Sequence, residues 1–285
     1  MVYLILCIVF SSAIFALFKI FEKFNINLLQ AIIINYFTAF SIGIFTFNGI
    51  VNFSTLHHKP WFIGALILAI LFISVFNVMG ITSQKNGVSV AAVSGKMAVV
   101  IPIIAGVFLY QEKLSTVKIF GIILALIAVY FTTKKQTINP TKNNSLIYPI
   151  LLFIGAGIID TTLKYIQTYF VPTNETSLFS GVIFGLSGII GIIIYCIKPS
   201  KIHLKNIVAG ITLGIINYFS VYYLLKELEA LEAMGMFSAE IFSINNVAIV
   251  TLSSLIAVLL FKEKLNYLNK AGIAIALISI FLMSI

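Results

Sequence analysis

Residues 112–128 read EKLSTVKIFGIILALIA, and residues 263–279 read EKLNYLNKAGIAIALIS. Both stretches open on Glu-Lys-Leu (Glu112-Lys113-Leu114 and Glu263-Lys264-Leu265). Each continues with Gly-Ile seven residues after the Leu (Gly121-Ile122 and Gly272-Ile273) and then Ala-Leu-Ile (Ala125-Leu126-Ile127 and Ala276-Leu277-Ile278). They stand 151 residues apart in a chain of 285. Two further matches precede them in the same order: Gly64 and Ser74-Val75 answer Gly210 and Ser220-Val221 at 146 residues, and Lys19 answers Lys164 at 145. A period of half the chain marks a duplicated unit rather than a short solenoid repeat.

Composition says what the unit is made of. The chain is 60% hydrophobic and 9% charged, whereas globular chains run near a quarter charged. A mean hydropathy of +1.11 leaves a polytopic membrane protein as the class. Apolar runs between polar breaks predict spans at 2–22, 29–47, 61–83, 88–110, 117–133, 147–170, 177–197, 206–226, 233–261 and 268–284. Turn residues separate them, as in Asn25-Ile26-Asn27, Lys85-Asn86-Gly87 and Pro172-Thr173-Asn174. The longest polar stretch, Lys134 to Ser145, reads as a linker between a repeat at 1–138 and another at 146–285. Five spans per repeat is an odd number, so the second repeat enters the membrane from the opposite side. The expected fold is all-α, with ten transmembrane helices forming two inverted five-helix repeats. The opening segment, Met1 to Phe18, has neither a basic n-region nor a cleavage site, so it is expected to be a retained span.

Five spans twice over, each half closing on Glu-Lys-Leu with a Gly seven residues later, resemble the EamA-type drug/metabolite transporters over essentially the whole chain. The resemblance implies a central cavity between the halves and movement of small metabolites or drugs by alternating access. Lys19 stands where many members carry a Lys. Pro102 falls about a turn closer to Glu112 than the family pattern places its fourth-helix Pro, and the ninth span has no Pro, so no hinge is expected at Pro102. Orientation divides two expectations. Loops after odd-numbered spans hold Lys23, Lys85, Lys134, Lys135, Lys142, Lys198, Lys201, Lys205, Lys262, Lys264 and Lys270, against Lys59, Lys113, Lys118 and Lys226 after even ones. The positive-inside rule therefore places both termini outside, whereas the resemblance implies both inside.

A charge at bilayer depth costs ~3 kcal/mol unless paired or wetted. Lys96 is the deepest, roughly 13 Å into the fourth span, in a small polar setting (Ser94-Gly95). It either lines a cavity and holds an anionic substrate group, or pairs a buried acid. Glu240 on the ninth span is one candidate counterpart in the second half, suited to binding a substrate amine or a coupling proton; an alternative register sets Lys96 near Asn246. Asp160, halfway along the sixth span, is a second candidate for proton or cation handling, and it shares a helix face with Lys164 four residues on. Lys19 and Glu22 are read as a helix-pairing couple near a membrane edge. Asn35, Tyr36, Asn77, Asn217, Tyr218, Tyr222, Asn245 and Asn246 supply neutral polar groups, either for binding the polar end of a small amphiphile or for bonding neighbouring helices. Glu227, Glu229 and Glu232 read as a solvated helix end.

Other functions are excluded by what is missing. Eighteen Lys and no Arg are scattered singly or in pairs, not in the contiguous stripe nucleic acid requires. Cys7 and Cys196 lie in apolar stretches and suggest neither a disulfide nor a metal site. Gly185-Leu186-Ser187-Gly188 matches an intramembrane serine-protease motif, but the three His (His57, His58 and His203) lie in loops. No enzyme activity, metal or cofactor is expected. The expected function is a secondary transporter, exporting or exchanging a small organic solute with or without proton coupling, in the cell (inner) membrane of a bacterium. The alternative is a non-transporting scaffold or receptor on the same fold. Expected partners are the small-molecule substrate and the lipid bilayer, with a homodimer allowed.

Overall fold

The computed structural model describes residues 2–46, 53–110, 115–133, 146–172, 175–197, 199–232 and 238–284. Among these the regular structure is all helical. The helices are α1 (Val2–Lys23), α2 (Leu28–Thr46), α3 (Phe62–Lys85), α4 (Val88–Met97), α5 (Val100–Tyr110) and α6 (Thr116–Thr133). They are followed by α7 (Ile147–Phe170), α8 (Thr176–Ile197), α9 (Leu204–Glu232), α10 (Ser238–Leu259) and α11 (Tyr267–Ser284). Eight helical stretches are long and apolar enough to cross a membrane, with shorter apolar stretches at Ile244–Leu259 and Tyr267–Met283. The molecule is thus built as a polytopic membrane protein. The linker expected at 134–145 lies outside the described residues.

The fourth span departs from expectation. It is two helices, α4 and α5, separated by a turn at Ala98–Val99. Pro102 accounts for the break: it has no N–H to return to Ala98, and its ring crowds that carbonyl four residues back. The Ala98 carbonyl instead accepts from the Ile101 N–H at 2.9 Å, one residue early. No hinge was expected at Pro102, yet the interruption lies one turn before it and two residues after Lys96.

Several helix ends are closed by local geometry legible in the sequence. Asn25 adopts a left-handed conformation (φ 50°), and the Ile26 N–H returns to the Phe21 carbonyl at 2.9 Å, ending α1 in a Schellman turn. Lys262 is also left-handed after α10 (φ 51°), where the Glu263 N–H reaches the Ala257 carbonyl at 3.0 Å, a loop one residue wider than the Schellman turn. Gly87, at φ 109°, joins α3 to α4 and is the residue type such a φ requires.

Packing relies on small residues, because lipid supplies no hydrophobic force between helices already in a membrane. α6 packs on α11, α2 on both α8 and α9, α1 on α9 and α10, and α7 on α3, α4 and α5. Gly210 and Gly214 let α9 approach the backbone of α2 so closely that an added Cβ would stand 2.7 Å from the carbonyls of Ala31 and Asn35 respectively. The α6–α11 seam is reciprocal. A Cβ on Gly121 would meet the Met283 side chain at 2.7 Å and the Ser279 carbonyl at 3.2 Å; one on Gly272 would meet the Thr132 N–H nitrogen at 2.7 Å and the Ala128 carbonyl at 3.0 Å. Ser279 and Met283 stand to Gly272 in sequence as Ala128 and Thr132 stand to Gly121.

The two glycines differ in what gives way. Beside Gly121 the nearest atom belongs to a flexible methionine, but beside Gly272 it is backbone. Gly272→Ala is therefore expected to cost about 1–3 kcal/mol, the range for overpacking a filled interface, and Gly121→Ala distinctly less. Thermal melting of the two purified variants in one detergent checks the order; equal losses would contradict it.

Candidate functional site

The break in the fourth span places Lys96 at the C-terminal end of α4, the negative end of the helix dipole, where a cation is favoured. Glu263 anchors the opposite end. Its Oε1 accepts from the Val88 N–H at 2.7 Å, and its Oε2 lies 3.5 Å from the Ser89 hydroxyl. A carboxylate from the turn after α10 thereby satisfies an unpaired N–H opening α4. It also fills the space where Gly87 has no side chain, since a Cβ there would lie 2.8 Å from Oε2. The second Glu-Lys-Leu, read in the sequence as a repeat marker, thus fixes the helix carrying Lys96.

Lys96 and Asp160 on α7 lie within electrostatic range of each other. Among the described residues no carboxylate oxygen lies within 4.0 Å of the Lys96 ammonium, and neither side chain makes a hydrogen bond. Asp160 is exposed on α7, between the exposed Ile158 and the half-buried Thr161. Lys164 is exposed one turn further along α7, and the charge that Asp160 meets is Lys96.

Cys7 links this pair to a second polar group. It is buried, feels Lys96 and Glu227 electrostatically, and accepts from the Asn245 amide at 3.1 Å. The same amide donates to Glu227 Oε2 at 3.1 Å. Glu227 is 1% exposed, so the solvated helix end expected at that position is corrected. The residues Asp160, Lys96, Cys7, Asn245 and Glu227 come from α7, α4, α1, α10 and α9, and bring five helices to one polar region.

Most of the other candidates with described side chains have partners elsewhere. Asn35 is fully buried and accepts from the Asn217 amide at 3.2 Å, joining α2 to α9. Tyr36 is equally buried and donates its hydroxyl to the Phe72 carbonyl at 2.8 Å. The Asn77 amide returns to the Ile73 carbonyl of its own helix at 2.8 Å. Tyr218 hydrogen-bonds the Thr46 hydroxyl and stacks on Tyr222, which is exposed. Asn246 is half-buried on α10. Glu240 belongs to the first turn of α10, and its side chain lies outside the described residues. Lys19 bonds Glu22 and the Gln84 carbonyl, each at 2.6 Å, and so ties α1 to the end of α3.

No protein-family model matches the chain. It is 28% identical over 287 residues to an uncharacterized protein of Haemophilus influenzae, covering 98% of this chain and 96% of that one. A solved crystal structure of another protein, 12% identical, superposes with a TM-score of 0.63 over 99% of this chain and 94% of its own. At that identity the likeness concerns the fold alone.

Two contributors escaped the sequence reading although a signal was present. Asn217, Ser220 and Glu227 recur at helical spacing on α9 and are all buried, a polar stripe on one face of an apolar helix. Cys7 precedes Ser11 and Ser12 by about one turn on α1, a small polar patch of the same kind. Glu175 had no such signal. From the loop before α8 it accepts from the Lys59 ammonium at 2.6 Å and the Trp61 indole N–H at 2.8 Å, clasping the start of α3.

The Lys59 ammonium first, and then the indole, hold the Glu175 carboxyl below the ordinary carboxylate range. A lowered folded value stabilises the protein above the ordinary pKa of ~4.3, and that stability is lost as pH falls through the lowered value. Because Lys59 is partly exposed, the gain is at most about 1 kcal/mol. Melting curves of wild type and Glu175→Gln should differ at neutral pH and converge in acid. A gap independent of pH would contradict the assignment.

Proposed function

We propose that the chain is a secondary transporter of small organic solutes, of the amino-acid or amphipathic-metabolite or drug type, working by alternating access. In this reading ten membrane crossings form two inverted five-helix halves around the cleft that holds Lys96 and Asp160, in the cell membrane of a bacterium. The observation that carries it is the charged pair itself. Lys96 comes from the first half and Asp160 from the second. They face each other without closing an ion pair, beside a helix interrupted two residues away.

The alternatives for such charges are physical. If they served only to hold helices together, they would make direct contact, since leaving both charges apart at depth gives up the Coulomb attraction that offsets their desolvation. A gap between opposite charges suits a ligand that carries both a donor and an acceptor, or one that must displace water. Interrupted helices beside midplane sites are a recurring device of transporters, because the broken backbone and the dipole ends supply ligand contacts. The α6–α11 seam supports the inverted repeat: residues that correspond in the two sequence copies are the residues that meet each other across it. A two-fold axis between the halves, perpendicular to both helices, produces that pattern.

The test is uptake and efflux by the purified protein in liposomes, with a panel of radiolabelled amino acids and cationic and anionic amphiphiles. Lys96→Gln and Asp160→Asn are each expected to lower transport of the responsive solute at least about tenfold, the equivalent of ~1.4 kcal/mol in the rate-limiting barrier, while the proteins still fold. Wild-type rates in both variants would remove the pair from the site. A panel without a transported member would favour the scaffold reading.

A further inference from the structure

Glu227 and Asn245 present an arrangement that an ionised carboxylate does not explain. The Asn245 Nδ2 donates to Glu227 Oε2 at 3.1 Å, while the other oxygens, Glu227 Oε1 and Asn245 Oδ1, have no hydrogen-bond partner. Both residues are almost fully buried, at 1% and 2% exposure. Two acceptors left unpaired in a closed space next to each other are costly, and costlier if one bears a full charge. A single proton on Oε1 resolves both. It neutralises the carboxylate and makes Oε1 a donor, and the side chain that Glu227 already bonds carries an acceptor without a partner, Asn245 Oδ1. The amide and the acid then form a two-bond ring, N–H to carbonyl oxygen on one side and O–H to carbonyl oxygen on the other.

We propose that Glu227 is a proton-binding residue, its carboxyl paired with the Asn245 carboxamide between α9 and α10. The surrounding groups fit a neutral acid. From α1 comes Cys7, whose sulfur shares the Asn245 amide and donates to the Ser220 carbonyl at 3.5 Å. From α10 comes only the neutral amide among the described side chains. Beyond Cys7, and within electrostatic range of its thiol, stands Lys96. Asp160, Lys96, Cys7 and Glu227 therefore form a row of ionisable groups leading from the cleft to this closed site. A proton held at one end of the row is linked to the charge state at the other. The site stands without the transport reading; its role as the acceptor for a coupling proton rests on it.

Infrared difference spectra of the purified protein in nanodiscs, recorded between acid and alkaline pH, test the proposal directly. The wild type should show a carboxylic-acid C=O band that Glu227→Gln removes and Glu227→Asp shifts in frequency. Glutamine can form the same two-bond pair with Asn245, so this variant is expected to fold. Wild-type thermal stability should fall as pH rises through the band's midpoint, because the native state keeps a proton that the unfolded chain has released. Glu227→Gln should erase that slope. An unchanged band in Glu227→Gln, or an unchanged slope, overturns the proposal. A band that behaves as expected in a protein that moves no solute leaves the proton site standing and removes the transport reading.

Discussion

A helix that breaks inside a membrane must have its freed backbone groups answered by something other than water, and the break at Ala98–Val99 is the constraint from which the rest of the site follows. Pro102 removes one N–H and displaces one carbonyl. Part of the answer is local, the shortened bond from Ile101 to Ala98. The other part is distant. Interrupting the span shortens α4 to ten residues, too short to be held by its own ladder alone, and the Glu263 carboxylate secures its first turn. Lys96 inherits a position fixed from both ends, by a carboxylate at the start of α4 and by the break at its close.

Desolvation then decides which polar groups can be reactive. Asn35, Tyr36 and Asn77 each place a polar atom on a neighbour or on their own helix, and so act as helix–helix or backbone bonds. Lys96 and Asp160 do not, which leaves two charges within electrostatic range of each other but without a direct ion pair among the described residues. Glu227 is the intermediate case, half satisfied by one amide. The ranking follows from hydrogen-bond accounting rather than from residue type, since Asn217 and Asn245 are chemically identical yet fall in different classes.

Much of this arrangement was legible in the chain. The apolar runs predicted helix positions to within a few residues, because nothing but a helix lets a lone segment satisfy its backbone in lipid. Lys96 and Asp160 announced themselves as charges where charge is costly. What periodicity could not supply was the partner of each. Spacing names neighbours on one helix, such as Lys164 for Asp160, and cannot name Lys96, which is on another helix 64 residues away in sequence and acts on Asp160 electrostatically. Glu227 was hidden by company, since Glu229 and Glu232 give the segment the look of a solvated end. Glu175 lies in a loop where the sequence offers no pattern, and only the fold brings it to Lys59 and Trp61.

The two carboxylate clasps bear on how such a molecule can move. Glu175 holds the start of α3 through Lys59 and Trp61, and Glu263 holds the N–H that follows its end at Val88. α3 is 24 residues long, so the clasps are about 36 Å apart along it, one near each membrane face. Both acids come from the second half of the chain and both grip the first. Any displacement of one half against the other would have to stretch one or both clasps. Their chemistry makes that stretch unequal. The Glu175 clasp is an ion pair with a partly exposed lysine that water can replace at little cost, whereas releasing Glu263 uncovers a backbone N–H of a short, broken helix, a group with no other partner in reach. Of the two clasps, the one at Glu175 therefore parts at the lower cost.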